Sequence, residues 1–127
     1  MISPARVEGY LTLQSEIGQA MVFGDRRPYL VAVIVPKPEF IEAFAQRRAA
    51  APAAELAHDP ELNKLIGAAV ARVNAELSPV ERVRRFIIAA EPFTVANGQM
   101  TPTLKIKRFA IRQAYGTALQ ALYDANR

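Results

Sequence analysis

Cysteine and tryptophan are absent from the 127 residues, and histidine occurs once. Without thiols there is no disulfide framework and no thiolate-ligated metal site, a composition that suits a reducing compartment such as the cytoplasm. The lone imidazole, His58, precedes Asp59 in a surface connection and reads as a solvated loop residue, because metal sites need several converging ligands. The opening Met1-Ile2-Ser3-Pro4-Ala5-Arg6 has no apolar stretch of the secretory kind, and no later run approaches the roughly 20 apolar residues of a membrane span. No glycine-rich loop of the P-loop or Rossmann kind is present, and the carboxylates are scattered without forming a convincing catalytic pair. The chain does not read as a complete enzyme.

Its size and composition, 51% hydrophobic and 22% charged, are those of one globular domain with one core. An active site formed between two domains would need a further polypeptide segment. The net charge of +4 suits phosphate-bearing ligands, nucleic acid or an acidic partner domain, and does not choose among them.

Local signals outline the elements. Ser3-Pro4 is an N-cap followed by proline at the first helical position, with Val7, Tyr10 and Leu11 on one face. Ala20-Met21-Val22-Phe23 and Tyr29-Leu30-Val31-Ala32-Val33-Ile34-Val35 are β-prone runs joined by Gly24-Asp25-Arg26-Arg27-Pro28, which predicts an antiparallel hairpin. The second run has no polar alternation, the mark of a central strand covered on both faces. Pro38 opens a helix with Phe40, Ile41 and Phe44 inward, and an alanine-rich bridge over 49–54, expected to be mobile, follows it. Asp59-Pro60 begins what reads as the longest helix, with Leu62, Leu65, Ile66, Ala69, Val70, Val73 and Leu77 in one stripe. Ser78-Pro79-Val80-Glu81 carries a capping-box signal for a short helical turn, and 83–89 reads as a third strand. Asn97-Gly98 predicts a tight turn between 93–95 and 99–101, and the last helix, from Arg108, carries Ile111, Tyr115, Ala118, Leu119 and Leu122. The fold class is α+β: a small, mostly antiparallel sheet with helices packed on it.

The basic doublets Arg26-Arg27, Arg47-Arg48 and Arg84-Arg85 read as solvated faces, or as phosphate contacts in keeping with guanidinium geometry. Aromatic residues fall on the apolar stripes and not between the basic ones, which argues against a nucleic-acid surface. The stretch 97–108, Asn-Gly-Gln-Met-Thr-Pro-Thr-Leu-Lys-Ile-Lys-Arg, is distinctive: two turn signals, two lysines and an arginine precede a helix. By spacing alone it is a basic turn in water, and Lys105 and Lys107 are equivalent, since residues two apart on an extended segment share a face.

Taken together, Ile2-Ser3-Pro4-Ala5-Arg6-Val7-Glu8, the paired strands ending at Val35-Pro36, and Thr101-Pro102-Thr103-Leu104-Lys105-Ile106-Lys107-Arg108 resemble the C-terminal domain of the adenylate-forming enzymes, the superfamily of acyl-CoA synthetases, peptide-synthetase adenylation domains and luciferases. The likeness runs over the whole chain, so residues 1–127 are expected to form the mobile, lysine-bearing domain, with the large N-terminal adenylation domain upstream of Met1. The short Thr-Pro-Thr-Leu-Lys form after Asn-Gly resembles the long-chain fatty-acid–CoA ligase branch. Many relatives have serine-glycine before the lysine, whereas this chain has Thr103-Leu104, and leucine lacks glycine's backbone freedom.

The resemblance implies an ATP-dependent, AMP-forming ligase. A fatty-acid carboxylate attacks the α-phosphate with magnesium present, and CoA thiol then displaces AMP after the domain has rotated. It implies Lys105 as the adenylation lysine, because the family order of lysine, aliphatic, any residue, arginine fits Lys105-Ile106-Lys107-Arg108. No metal ligand is expected on this chain and no cofactor is expected bound to it, its partner is the adenylation domain of the same polypeptide, and alone it is expected to be inactive. The competing function is a free-standing basic module for nucleic acid or a protein partner.

Overall fold

The computed structural model describes residues 3–24, 27–47 and 53–124. In order, the elements are α1 (Pro4–Leu11), β1 (Ile17–Phe23), β2 (Leu30–Pro36), α2 (Pro38–Arg47), α3 (Ala53–Leu56), α4 (Pro60–Asn74), a 3-10 turn (Pro79–Glu81), β3 (Val83–Ile88) and α5 (Arg108–Asp124). The α+β class is as expected from sequence.

Local chemistry sets the helix starts. The Ser3 hydroxyl accepts from the Arg6 N–H, and the Asp59 carboxylate accepts from those of Glu61 and Leu62, so both satisfy donors that a first turn leaves open. Ser78 behaves differently: it makes no side-chain bond to the backbone, and its hydroxyl donates to Glu81 across 2.9 Å. At 17 residues, α5 exceeds the 15 of α4, so the longest helix among the described residues is the last one. Within α5, Ile111 and Leu119 are buried and Tyr115 and Leu122 partly so, whereas Ala118 faces outward. Of the bridge over 49–54, residues 49–52 lie outside the described residues, and Ala53 and Ala54 open a four-residue helix.

The sheet has the order β1-β2-β3. The expected hairpin forms, with β1 and β2 antiparallel, but β3 lies parallel to β2, so of the two pairings one is of each kind. The cause is the connection between β2 and β3, which runs through α2, α3 and α4 and returns the chain to the starting edge, as a parallel neighbour requires. Asn74, at the end of α4, fastens that return by exchanging two hydrogen bonds with the backbone of Val83, at 2.9 and 3.0 Å.

Every residue of β2 is buried. Leu30, Ala32 and Ile34 enter a cluster with Val7 and Leu11 of α1, Phe44 of α2, and Leu62, Ile66, Ala69, Val70 and Val73 of α4. Val31, Val33 and Val35 enter the opposite cluster with Phe93, Ile111 and Leu119, against which Met100 and Ile106 pack. Each fully buried aliphatic side chain stabilises the fold by about 1.5–3 kcal/mol relative to exposure. The strand is thus held between two helical layers, and the lysine-bearing segment belongs to the α5 layer. Among the described residues no helix is long and apolar enough to cross a membrane.

Candidate functional site

Between β3 and α5 the chain makes two successive turns. In the first, Asn97 accepts through its side chain from the N–H groups of Thr94 and Gln99 and donates to the Pro92 carbonyl, while Gly98 takes φ +78°. Both features fit the predicted Asn-Gly turn. After the turn, Met100 donates its N–H back to the Thr94 carbonyl across 3.0 Å and bridges antiparallel to Ile106, a pairing that was not legible in the sequence. The Thr101 N–H donates to the Lys105 carbonyl and the Lys107 N–H to the Gln99 carbonyl, each across 2.8 Å.

These bonds close a small hairpin whose loop is Pro102-Thr103-Leu104. Leu104 donates its N–H to the Thr101 carbonyl across 2.8 Å, and the Thr101 hydroxyl accepts from the Lys105 N–H across 3.1 Å. Leu104 has φ +64°, the sole positive value at a non-glycine residue among those described. A three-residue hairpin loop normally ends in a left-handed residue, a position that favours glycine. Leucine therefore adopts here the left-handed conformation that its side chain disfavours and glycine takes freely, and the strain lies at the peptide leading into Lys105.

Alternation along this hairpin directs the side chains. Ile106 packs into the α5-layer core, and Lys105 and Lys107 on either side of it are both exposed. Both ammonium groups project from one short, backbone-bonded hairpin, and this geometry leaves them equivalent, as spacing alone did.

Two side-chain joints anchor the segment. Upstream, the Gln19 amide of β1 accepts from the Phe93 N–H at 2.8 Å and donates to its carbonyl at 3.0 Å. Downstream, Arg108 forms a two-pronged pair with Glu8 of α1. Those hydrogen bonds raise the Arg108 pKa above its ordinary value, against the opposing effect of burial. Neither joint was read from sequence. A signal for the second existed, since Glu8 follows Val7 on the helix face that also buries Leu11, and a carboxylate there demands a partner.

The other candidates are dispersed. His58 is exposed. Arg27 bonds to Gln120 and lies 5.0 Å from the Tyr123 ring centre, and Arg47 lies 5.5 Å from that of Phe44, so these members of the doublets serve contacts within the fold. Arg26 and Arg48 lie outside the described residues. Arg84 is exposed beside the half-buried Arg85. No group of three or more His, Cys, Asp or Glu side chains that would hold a metal ion occurs among the described residues.

An apolar cleft of about 420 Å³ opens elsewhere, between the ends of β2 and β3 and helices α2 to α4, lined by Val35, Ile41, Leu56, Leu62 and Ile88 among others. A smaller one, of about 250 Å³, lies along α5 beside Phe23, Arg27, Phe109 and Arg112.

Comparison with known proteins accords with this arrangement. The long-chain-fatty-acid–CoA ligase FadD15 of Mycobacterium tuberculosis is 36% identical over 126 residues, a match covering 97% of this chain and 21% of the ligase. Long-chain-fatty-acid–CoA ligase 5 of Rattus norvegicus is 31% identical over 128 residues, covering 98% of this chain and 19% of that enzyme. The chain therefore spans about a fifth of the length of these curated relatives. Among solved structures, the adenylation domain of a Mycobacterium chelonae carboxylate reductase superposes with a TM-score of 0.76 at 33% identity, covering 94% of this chain and 17% of that one. The A domain of the Segniliparus rugosus carboxylic acid reductase, in complex with AMP and a carboxylic acid, gives 0.78 at 27%, covering 99% and 18%. The AMP-binding enzyme C-terminal domain family matches residues 1–127 from end to end, and this chain belongs to it.

Proposed function

We propose that this chain is the C-terminal domain of a long-chain fatty-acid–CoA ligase and that Lys105 is the lysine it contributes to acyl-adenylate formation. The observation that carries the reading is the match of the whole chain to the AMP-binding enzyme C-terminal domain, with the motif lysine exposed on a hairpin that backbone bonds hold in shape. The larger partner is the adenylation domain of the same polypeptide, and fatty acid, ATP and CoA are the substrates.

In the first step a carboxylate oxygen attacks the α-phosphorus and pyrophosphate leaves. An ammonium at the meeting point of two anions offsets their repulsion, stabilises the charge that builds in the transition state and holds the reactants in line. Rotation of the domain then withdraws the hairpin, and the CoA sulfur attacks the acyl carbonyl and expels AMP. Among the described residues no group of donors fits a magnesium site, so no step is drawn through the metal. The alternative of a nucleic-acid module is disfavoured because several arginines are engaged within the fold: Arg6 with Glu81, Arg72 with Glu16, and Arg108 with Glu8.

The test is made in the polypeptide that includes the adenylation domain. Lys105→Ala slows adenylation, read as pyrophosphate release, by about 10²-fold or more, the scale for one preorganised donor. Thioester formation from pre-made acyl-adenylate is largely spared, and Lys107→Ala leaves both half-reactions within a few-fold. Loss of adenylation in Lys107→Ala with Lys105→Ala active overturns the assignment, and equal slowing of both half-reactions in Lys105→Ala overturns the rotation.

A further inference from the structure

Glu8 is the one buried polar or charged residue in the described core, and its carboxylate has an unusual set of partners. Arg108 donates to it twice, through Nη1 to Oε2 and through Nη2 to Oε1, the latter across 2.9 Å. Oε2 also accepts from the Val22 N–H across 2.7 Å, and Arg108 Nη1 donates to the Val22 carbonyl across 3.1 Å. Val22 lies on β1, an outer strand of the described sheet, and its N–H and carbonyl, with no strand on that side, bond to this pair instead. The glutamate and arginine together take the place of that missing strand. Helix α1, the sheet edge and the first residue of α5 thereby meet at one joint.

An ion pair withdrawn this far from water, with the Glu8 carboxylate buried and Arg108 partly exposed, is a weak source of stability, because desolvation offsets much of its attraction. What a planar two-pronged pair supplies is direction: it fixes where the guanidinium lies and in what orientation. Arg108 is three residues beyond Lys105, with Ile106 packed in the core and the Lys107 N–H bonded back to Gln99 between them. No slack is left in that path.

We propose that Glu8 is a positioning residue for Lys105: by locking Arg108 onto the edge of β1, it fixes the base of the hairpin that presents the lysine. This rests on the assignment of Lys105 to adenylation, and the experiment separates the two claims.

Glu8→Gln and Arg108→Lys are made in the complete enzyme, the first keeping the side-chain shape and the second keeping the charge while losing the fork. Each lowers the rate constant of adenylation at saturating substrate tenfold or more, in line with the roughly 10²-fold cost of a 1 Å misplacement, and leaves KM for ATP and fatty acid within a few-fold. Thioester formation from acyl-adenylate is unaffected. Hydrogen exchange supplies a readout that does not depend on activity: the amides of Thr101 and Lys107 lose protection while those of α4 retain it. Unchanged protection of the hairpin overturns the proposal whatever the rates. Loosened amides with normal adenylation overturn it as well. In that case Lys105→Ala decides the underlying assignment, which stands if that variant is inactive and falls if it is not. Failure of both Glu8→Gln and Arg108→Lys to fold also overturns it, since the pair would then be needed for the fold itself.

Discussion

Replacing Leu104 tests directly whether the peptide before Lys105 is strained. A left-handed conformation costs a residue with a Cβ about 1–2 kcal/mol, and glycine escapes that cost. Leu104 sits at φ +64° and the residue is 68% exposed, so roughly a third of its area is covered, which corresponds to about 0.5–1 kcal/mol of burial. Leu104→Ala removes that burial and keeps the strain, so it destabilises by about that amount. Leu104→Gly loses the same burial and relieves the strain, but its unfolded chain is freer by about 0.5–1 kcal/mol. The difference between the two variants cancels the burial term: glycine is the more stable by about 0.5–1 kcal/mol, equivalent to a few degrees in Tm for a domain of this size. Leu104→Val falls below both, since branching at Cβ is least compatible with positive φ. Denaturant titration of this chain with a shared m-value measures the series. An alanine variant as stable as the glycine variant refutes the strain.

Other expectations concern regions remote from the hairpin. The Tyr123 hydroxyl donates to the Tyr29 carbonyl across 2.8 Å, and burial pushes its pKa up to about 12. A raised folded pKa means that its contribution is intact below the ordinary value of 10 and is lost as pH rises through 12, so Tyr123→Phe costs about 1 kcal/mol at neutral pH and flattens the alkaline limb of a stability–pH curve. Burial tends to raise the Glu16 pKa, but hydrogen bonds from Arg72, its own backbone and Ser15 outweigh it and hold the group below its ordinary 4.5. The contribution of Glu16 is therefore present above 4.5 and fades as pH falls through the lowered value, so Glu16→Gln is the less stable protein at pH 7 and matches the parent in strong acid, as paired urea titrations will register. A Cβ added at Gly67 in the interior of α4 meets only the Phe86 ring, at 3.9 Å, so Gly67→Ala raises stability by about 0.5–1 kcal/mol in thermal melts.

What the sequence disclosed was the chemistry that acts over a few residues. Ser3 and Asp59 cap their helices because a short polar side chain reaches an N–H two or three positions on, and the unbroken apolar run of β2 needs a cover on both faces wherever it lies. The direction of β3 was not legible, since it depends on how three helices return the chain and not on any property of the strand itself. The left-handed turn at Leu104 was not legible because its local preference opposes that conformation, and the hairpin bonds on either side decide the outcome. The joint of Glu8 with Arg108 unites residues at opposite ends of the chain, where periodicity carries no information. Lys105 was singled out by the order of its neighbours in a motif, a distinction that the equally exposed Lys107 does not share.

The central strand bears on how sequences of this kind can vary. Every position from Leu30 to Pro36 is buried, so a polar side chain on β2 loses most of its hydration without a partner to offset the loss. Drift is channelled to the outward faces of α2, α4 and α5, where exposed residues change at little cost. The strand behind the hairpin layer is thus the part least able to change, and the outer surface can vary around it without altering where Lys105 is held.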